Sequence, residues 1–148
     1  MPIPSSTFNI AAQLPALTPI EDAVAKAWLT KHATEYDSVD FNVRVGSGIQ
    51  LPDSSPDYMK LYARQATTKR CDMVLHKGTE ATIVEVKIRV GGSALGQLLL
   101  YKRLYQADHP EVTAVHLIAA GQTIEPDVQE AYDELNIPVE LFPSAQIV

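Results

Sequence analysis

Apolar and polar positions recur along the chain with two different periods, and each change of period marks an element. In TPIEDAVAKAWLTKH, Ile20, Val24, Ala27 and Trp28 return at helical spacing, which predicts an amphipathic helix. Thr18 stands at its N-cap, Pro19 at its first position, and Glu21 where a capping box needs an acid. DFNVRVGSGIQL shifts to period two through Phe41, Val43 and Val45 and breaks at Gly46-Ser47-Gly48, as a strand entering a turn does. LPDSSPDYMKLYARQATTK reads as a loop with room for a short helix from about Pro56. CDMVLH and ATIVEVKI are two strands separated by KGTE. GSALGQLLLYKRLYQ predicts a helix with Ser93 as N-cap, TAVHLIAAG a buried strand, EPDVQEAYDELN an acidic helix and PVELF a last strand.

The order is helix, three strands, helix, strand, helix, strand. Three sequential strands suit an antiparallel meander, and the later alternation suits a parallel crossover. The expected architecture is an α/β sandwich around a mixed sheet, formed as one domain over residues 1–148 with an N-terminal extension at 1–17. The chain length of 148 residues and 46% hydrophobic content can supply a core for such a domain.

The hairpin CDMVLHKGTEATIVEVKI brings the chemistry together. A two-residue Gly78-Thr79 turn, with glycine first as a type II′ turn prefers, sets Asp72 directly opposite Glu85. Opposed residues share a sheet face, and Lys87, two residues beyond Glu85, joins them. Val84, Val86 and Ile88 then point to the other face with Met73. Two facing carboxylates repel, so stability alone gives a fold no reason to pair them. A hard cation removes the repulsion: Mg²⁺ takes oxygen ligands and is typically held by one or two carboxylates plus substrate phosphate. The competing reading is a salt-bridged, solvated strand face, on which Glu-x-Lys is common.

Charge is distributed unevenly. The net charge of −6 argues against a polyanionic partner, yet residues 60–103 carry nine basic and three acidic side chains. Residues 104–148 hold eight acids and neither Lys nor Arg. A phosphate-binding face needs local positive charge, and Lys69, Arg70 and Arg89 are its candidates, with the acidic segment expected on the far side of the sheet. One cysteine, Cys71, cannot build a disulfide framework, a zinc knuckle or an iron–sulfur cluster from several thiolates. The sequence offers no bilayer-length apolar run and no secretory pattern at its start, so the expectation is a cytoplasmic protein without a membrane partner.

Asp72, twelve intervening residues, then Glu85-Val86-Lys87 resembles the PD-(D/E)XK nuclease superfamily. Gln97 and Tyr101 in GQLLLYKRLY resemble the Gln-x-x-x-Tyr helix of its recombination-exonuclease branch, found in bacterial recombination helicase–nucleases and phage lambda-type exonucleases. The resemblance covers roughly Thr18 to Phe142, with the specific motifs confined to 72–101. It implies a restriction-endonuclease-like fold and Mg²⁺-dependent hydrolysis of DNA phosphodiesters, with Mn²⁺ able to substitute. Asp72 and Glu85 would hold the ion, helped by the Val86 carbonyl, and Lys87 would assist the attacking water. Gln97 and Tyr101 would contact the substrate backbone or hold the catalytic strand. A further acid comes from the first helix in this family; Glu21 is chosen over Asp22, although a capping role explains Glu21 equally well.

Such a protein would act in recombination, repair or replication, in a bacterial or viral setting, alone, as a homo-oligomer or within a larger complex. Cys71 stands where the superfamily pattern has proline. Two alternatives remain: an inactive nucleic-acid-binding or assembly module of the same fold, and a structure-selective junction resolvase, whose Asp–Glu–Lys spacing is similar. His32, His76, His109 and His116 are scattered. His116 is expected to be a core histidine and His76 an exposed one. The glycine pairs Gly46/Gly48 and Gly91/Gly92 read as turns, the latter able to let a nucleic-acid strand approach the backbone.

Overall fold

A computed structural model describes Leu14 and residues 16–145. The chain forms α1 (Pro19–His32), a short 3₁₀ turn (Ala33–Glu35), β1 (Ser38–Val45), α2 (Asp57–Thr67), β2 (Lys69–Lys77), β3 (Glu80–Val90), α3 (Gly92–Asp108), β4 (Ala114–Ile124), α4 (Gln129–Glu134) and β5 (Val139–Leu141). The sheet runs β1-β2-β3-β4-β5. β1, β2 and β3 are antiparallel, whereas β3, β4 and β5 are parallel, so the sheet is mixed. Among the described residues no helix is long and apolar enough to cross a membrane.

The strands alternate between two apolar clusters. Met73, Leu75, Val84 and Val86 pack with Val24, Ala25, Trp28 and Leu29 of α1. Val74, Ala81 and Ile83 pack with Leu98, Tyr101 and Tyr105 of α3 and with Tyr132 of α4. The sheet is therefore covered by α1 on one face and by α3 and α4 on the other, an α/β sandwich. The end of the N-terminal extension belongs to the first layer: Leu14 and Leu17 are buried in it. The rest of the extension lies outside the described residues.

Local signals explain most elements. The Thr18 hydroxyl accepts from the Glu21 N–H and the Glu21 carboxylate from the Thr18 N–H, a complete capping box. Lys77 pairs with Glu80 across Gly78-Thr79, and Gly78 takes φ +59°, as the first position of a II′ turn requires. α3 begins two residues earlier than its sequence suggests. β3 continues to Val90, so Gly91 is the N-cap and Ser93 falls inside the first turn. Residues 57–67 form a full helix rather than a mostly irregular loop. Ile88 does not join the core: it is 41% exposed, and the α1 cluster takes only Val84 and Val86 from β3.

One irregularity bears on the site. The β1–β2 ladder skips Asn42, which adopts φ +52°, and resumes at Val43 opposite Cys71. Asn tolerates this left-handed backbone better than most residues. The kink switches faces: Phe41 and Met73 pack toward α1, while Val43 and Cys71 pack toward α3. Asp72 is the residue at the switch.

Candidate metal centre

The hairpin register places Met73 opposite Val84 and each outer pair down to Lys77 and Glu80. The same register continued brings Asp72 to Glu85, where the paired ladder ends. The freed Val86 N–H donates instead to Asp72 Oδ2 at 2.8 Å, so a carboxylate takes the place of a strand partner. This bond holds the Asp72 side chain beside Glu85.

Glu85 is only 3% exposed, and its Oε2 has no hydrogen-bond partner. Burial drives its pKa far above the ordinary 4.5; the neighbouring Asp72, close enough to share a proton, pushes the same way. Lys87 opposes the rise, which places its ammonium within electrostatic reach of Glu85. Asp72 and Glu85 thus lie side by side at the open end of the hairpin, with the Lys87 charge acting on Glu85.

The helix residues reach the same region. Tyr101 is buried, and its phenol is pushed up to about 12 by burial, then by Glu85, Cys71 and Asp72. The Cys71 thiol is also raised to about 12, by burial and then by the two carboxylates. Neither group ionises near neutrality, so Tyr101 remains a hydrogen-bond donor beside the acids. Gln97 Oε1, one helical turn before Tyr101, is buried without a partner. Two of the three buried, unpartnered side-chain polar atoms among the described residues, those of Glu85 and Gln97, belong to this constellation.

Glu21 is placed differently. Its carboxylate accepts the Thr18 N–H of the capping box, and its charge contributes only the last-ranked cause of the Glu85 shift. Among the described residues no group of three or more His, Cys, Asp or Glu side chains is gathered around a metal-sized space. The contact observed for Glu21 is the cap, and the two carboxyls that lie side by side are Asp72 and Glu85. Val86 contributes its N–H to Asp72; its buried side chain faces α1.

Lys69, Arg70 and Arg89 are exposed, the first two at the start of β2 and the last near the end of β3. The acidic C-terminal segment is not wholly on the far side: Glu140 meets Lys31 and His32 of α1, but Glu125 does not join it there. Glu125 and Tyr132 come against the β3–α3 junction: a Cβ on Gly91 would meet the Glu125 carboxyl at 2.4 Å, and the buried Tyr132 hydroxyl donates to the Gly91 carbonyl at 2.8 Å. Gly91 is thus small for a carboxyl group of its own chain, while Gly92 faces open space. His116 is not a core histidine: its side chain is 58% exposed and pairs with Glu80 at 2.7 Å. His76 is half-buried against Asp40.

Sequence reasoning missed Gly121, which lies opposite Lys87 in the β3–β4 register. A Cβ there would come within 2.7 Å of Val90 and 2.9 Å of the Lys87 carbonyl, so this glycine lets β4 close against the strand that carries the site. A glycine inside a strand is the signal that could have found it. A cleft of about 770 Å³ opens toward the turn end of the hairpin and includes Glu80, Thr82, His116 and Leu117. It does not border Asp72, Glu85 or Lys87.

No protein-family model matches the sequence, and no curated protein matches it significantly. Among solved structures, the crystal structure of a protein of unknown function, AF1548, is similar at 9% identity and a TM-score of 0.49. The match covers 82% of this chain and 57% of that one, so the chain spans little more than half the length of its structural neighbour.

Proposed function

We propose that this chain is a Mg²⁺-dependent nuclease of the PD-(D/E)XK type, hydrolysing DNA phosphodiester bonds with Asp72, Glu85 and Lys87. The observation that carries the proposal is Glu85: a buried carboxyl with an unpartnered oxygen, set beside a second carboxyl that is itself pinned by Val86. A buried carboxyl set beside a half-buried one is unfavourable in the charged form without a cation, and the oxygen donors suit a hard divalent ion. Asp72 and Glu85 would hold the ion, with the Val86 carbonyl as a further oxygen ligand.

Once bound, the ion supplies Lewis acidity at the scissile phosphate and a bound water of lowered pKa. The remaining work falls to the chain. The Val86 N–H keeps one Asp72 oxygen occupied and so fixes the direction of the other. Lys87 neutralises charge developing on the phosphate oxygens and orients the attacking water. Tyr101 stays protonated and donates to a substrate phosphate oxygen, while Gln97 positions the strand one helical turn away. Lys69, Arg70 and Arg89 supply counter-charge for the flanking phosphates. Glu21 acts by holding the start of α1.

A restriction-endonuclease-like version of the sandwich, and a place in recombination, repair or replication, follow from the same motif reading. The test is cleavage of linear, circular and branched DNA compared in Mg²⁺, Mn²⁺ and EDTA. Mg²⁺- or Mn²⁺-dependent cuts that vanish in Asp72→Asn, Glu85→Gln and Lys87→Ala support the proposal. Cleavage that survives all three substitutions overturns the site assignment.

A further inference from the structure

α2 is built unlike the other long helices. It has no buried described side chain, yet Tyr58 and Tyr62 are each 74% exposed, Leu61 is 55% exposed and Met59 44%. Tyr58 and Tyr62 are four residues apart, so their rings lie side by side along one helix face. Large rings in water cost free energy unless something covers them, and contiguous exposed apolar surface marks an interaction site.

Three observations say what covers this one. From Tyr58 to Cys71 the chain carries Lys60, Arg64, Lys69 and Arg70 and not one acid. On the same helix, a cleft of about 310 Å³ lined by Leu61 brings Arg64 of α2 together with Arg44 of β1, beside Gly46, Thr68 and an Asp108 whose carboxylate accepts the Gly46 N–H. A neighbouring cleft of about 280 Å³ includes Lys60 and Arg64, with the Lys60 ammonium donating to the Asp53 carbonyl. Finally, α2 ends at Thr67, and Asp72 follows as the fourth residue of β2. Five extended residues span at most about 17 Å, so the C-terminal end of α2 lies within that distance of Asp72.

We infer that the Tyr58–Tyr62 face of α2 is a stacking platform for unpaired bases, making single-stranded or frayed-end DNA the substrate class delivered to the Asp72–Glu85 centre. Aromatic faces beside a basic track are what sequence-tolerant binding of single strands requires: each ring stacks on a base, and the cations follow the phosphates. Duplex DNA hides its base faces and has no use for the two rings. The inference rests on the nuclease reading for its direction toward the site, but the binding itself does not.

The experiment is fluorescence anisotropy of labelled oligonucleotides with the full chain in EDTA, where metal-dependent cleavage is excluded. Three probes are compared: a mixed-sequence single strand, the same strand with contiguous abasic positions, and a blunt duplex. Tyr58→Ala/Tyr62→Ala should weaken single-strand binding on the order of 10-fold per ring and leave duplex binding within about 2-fold. Tyr58→Phe/Tyr62→Phe should retain the affinity, because the ring and not the hydroxyl stacks. Wild-type protein should lose a comparable factor on the abasic strand, and the alanine pair should be indifferent to it. Thermal melting of the alanine pair should match wild type, since neither ring packs in the core.

Unchanged single-strand affinity in the alanine pair overturns the inference, as does equal loss on single strand and duplex. Light scattering supplies a further outcome: an alanine pair that splits a homodimer while binding DNA normally makes the face a protein contact, and the inference fails. The two readings fail separately. Tyrosine-dependent binding without Mg²⁺-dependent cleavage removes the nuclease and keeps the platform; cleavage indifferent to the tyrosines does the reverse.

Discussion

Glu85→Gln should stabilise the metal-free protein, and the gain should grow with pH. Glu85 is buried beside Asp72 and holds its proton in the folded state far above 4.5, the ordinary value to which it returns on unfolding. Below that pH both states carry the proton and its stabilising contribution is fully present. As pH rises the unfolded chain releases the proton and the folded chain does not, so stability falls until the folded pKa is passed. Retaining a proton at pH 7 that is released near pH 4.5 on unfolding costs up to about 3 kcal/mol. Glutamine has nearly the same shape and needs no proton, so the substitution should recover about 1–3 kcal/mol at pH 7 and close to nothing at pH 4. At this chain size that corresponds to a melting point higher by about 3–10 °C. The assay is thermal or urea unfolding of both proteins in EDTA from pH 4 to pH 8, repeated with Mg²⁺. Added Mg²⁺ should stabilise wild type, by mass action on the ionised pair, and leave the glutamine variant unmoved. A variant less stable than wild type at pH 7 in EDTA, or a difference that ignores pH, would show that Glu85 is held by a structural ion pair, and the reasoning would be refuted.

Thr18→Ala removes one half of the α1 capping box and should cost about 1 kcal/mol in urea unfolding; since Glu21 acts here as a cap, activity measured well below the melting point should hardly change. Gly121→Ala forces a methyl against Val90 and the Lys87 carbonyl, so we expect a loss of about 1–3 kcal/mol together with reduced cleavage. Normal stability and normal activity in that variant would mean that β4 yields freely and does not brace Lys87. Lys69→Ala/Arg70→Ala, measured on a Lys87→Ala background so that cleavage cannot imitate dissociation, should weaken binding to all DNA sequences alike. It should also reduce the slope of log affinity against log salt by about 1–2. An unchanged slope would make the local basic balance incidental.

The parts of this structure that were legible in advance are those fixed by short-range chemistry. A glycine-first two-residue turn leaves the hairpin one register, which is why the opposition of Asp72 and Glu85 could be read from the spacing alone. The capping box at Thr18 and Glu21 is equally local. What escaped depends on neighbours that the sequence does not place. TAVHLIAAG is apolar enough to suggest burial on both faces, but His116 opens onto a cleft and meets Glu80 in solvent. The α2 segment has helical spacing of Tyr58, Leu61 and Tyr62, yet those positions face water, and a pattern sought as a core stripe is discounted when the surrounding residues read as loop. The kink at Asn42 and the approach of Glu125 to Gly91 are backbone and long-range events with no periodic trace.

The carboxylate of Asp72 stands in for a strand neighbour, and this gives the residue a different mutational profile from Glu85. In a saturation library scored separately for cellular abundance and for activity, Glu85 should tolerate neutral substitutions for abundance while failing for activity. At Asp72, side chains that cannot accept the Val86 N–H should fail in both, with asparagine the informative exception. A library that scores activity alone would merge these two positions into one class, although one is restrained by chemistry and the other by chemistry and by the end of a β-ladder.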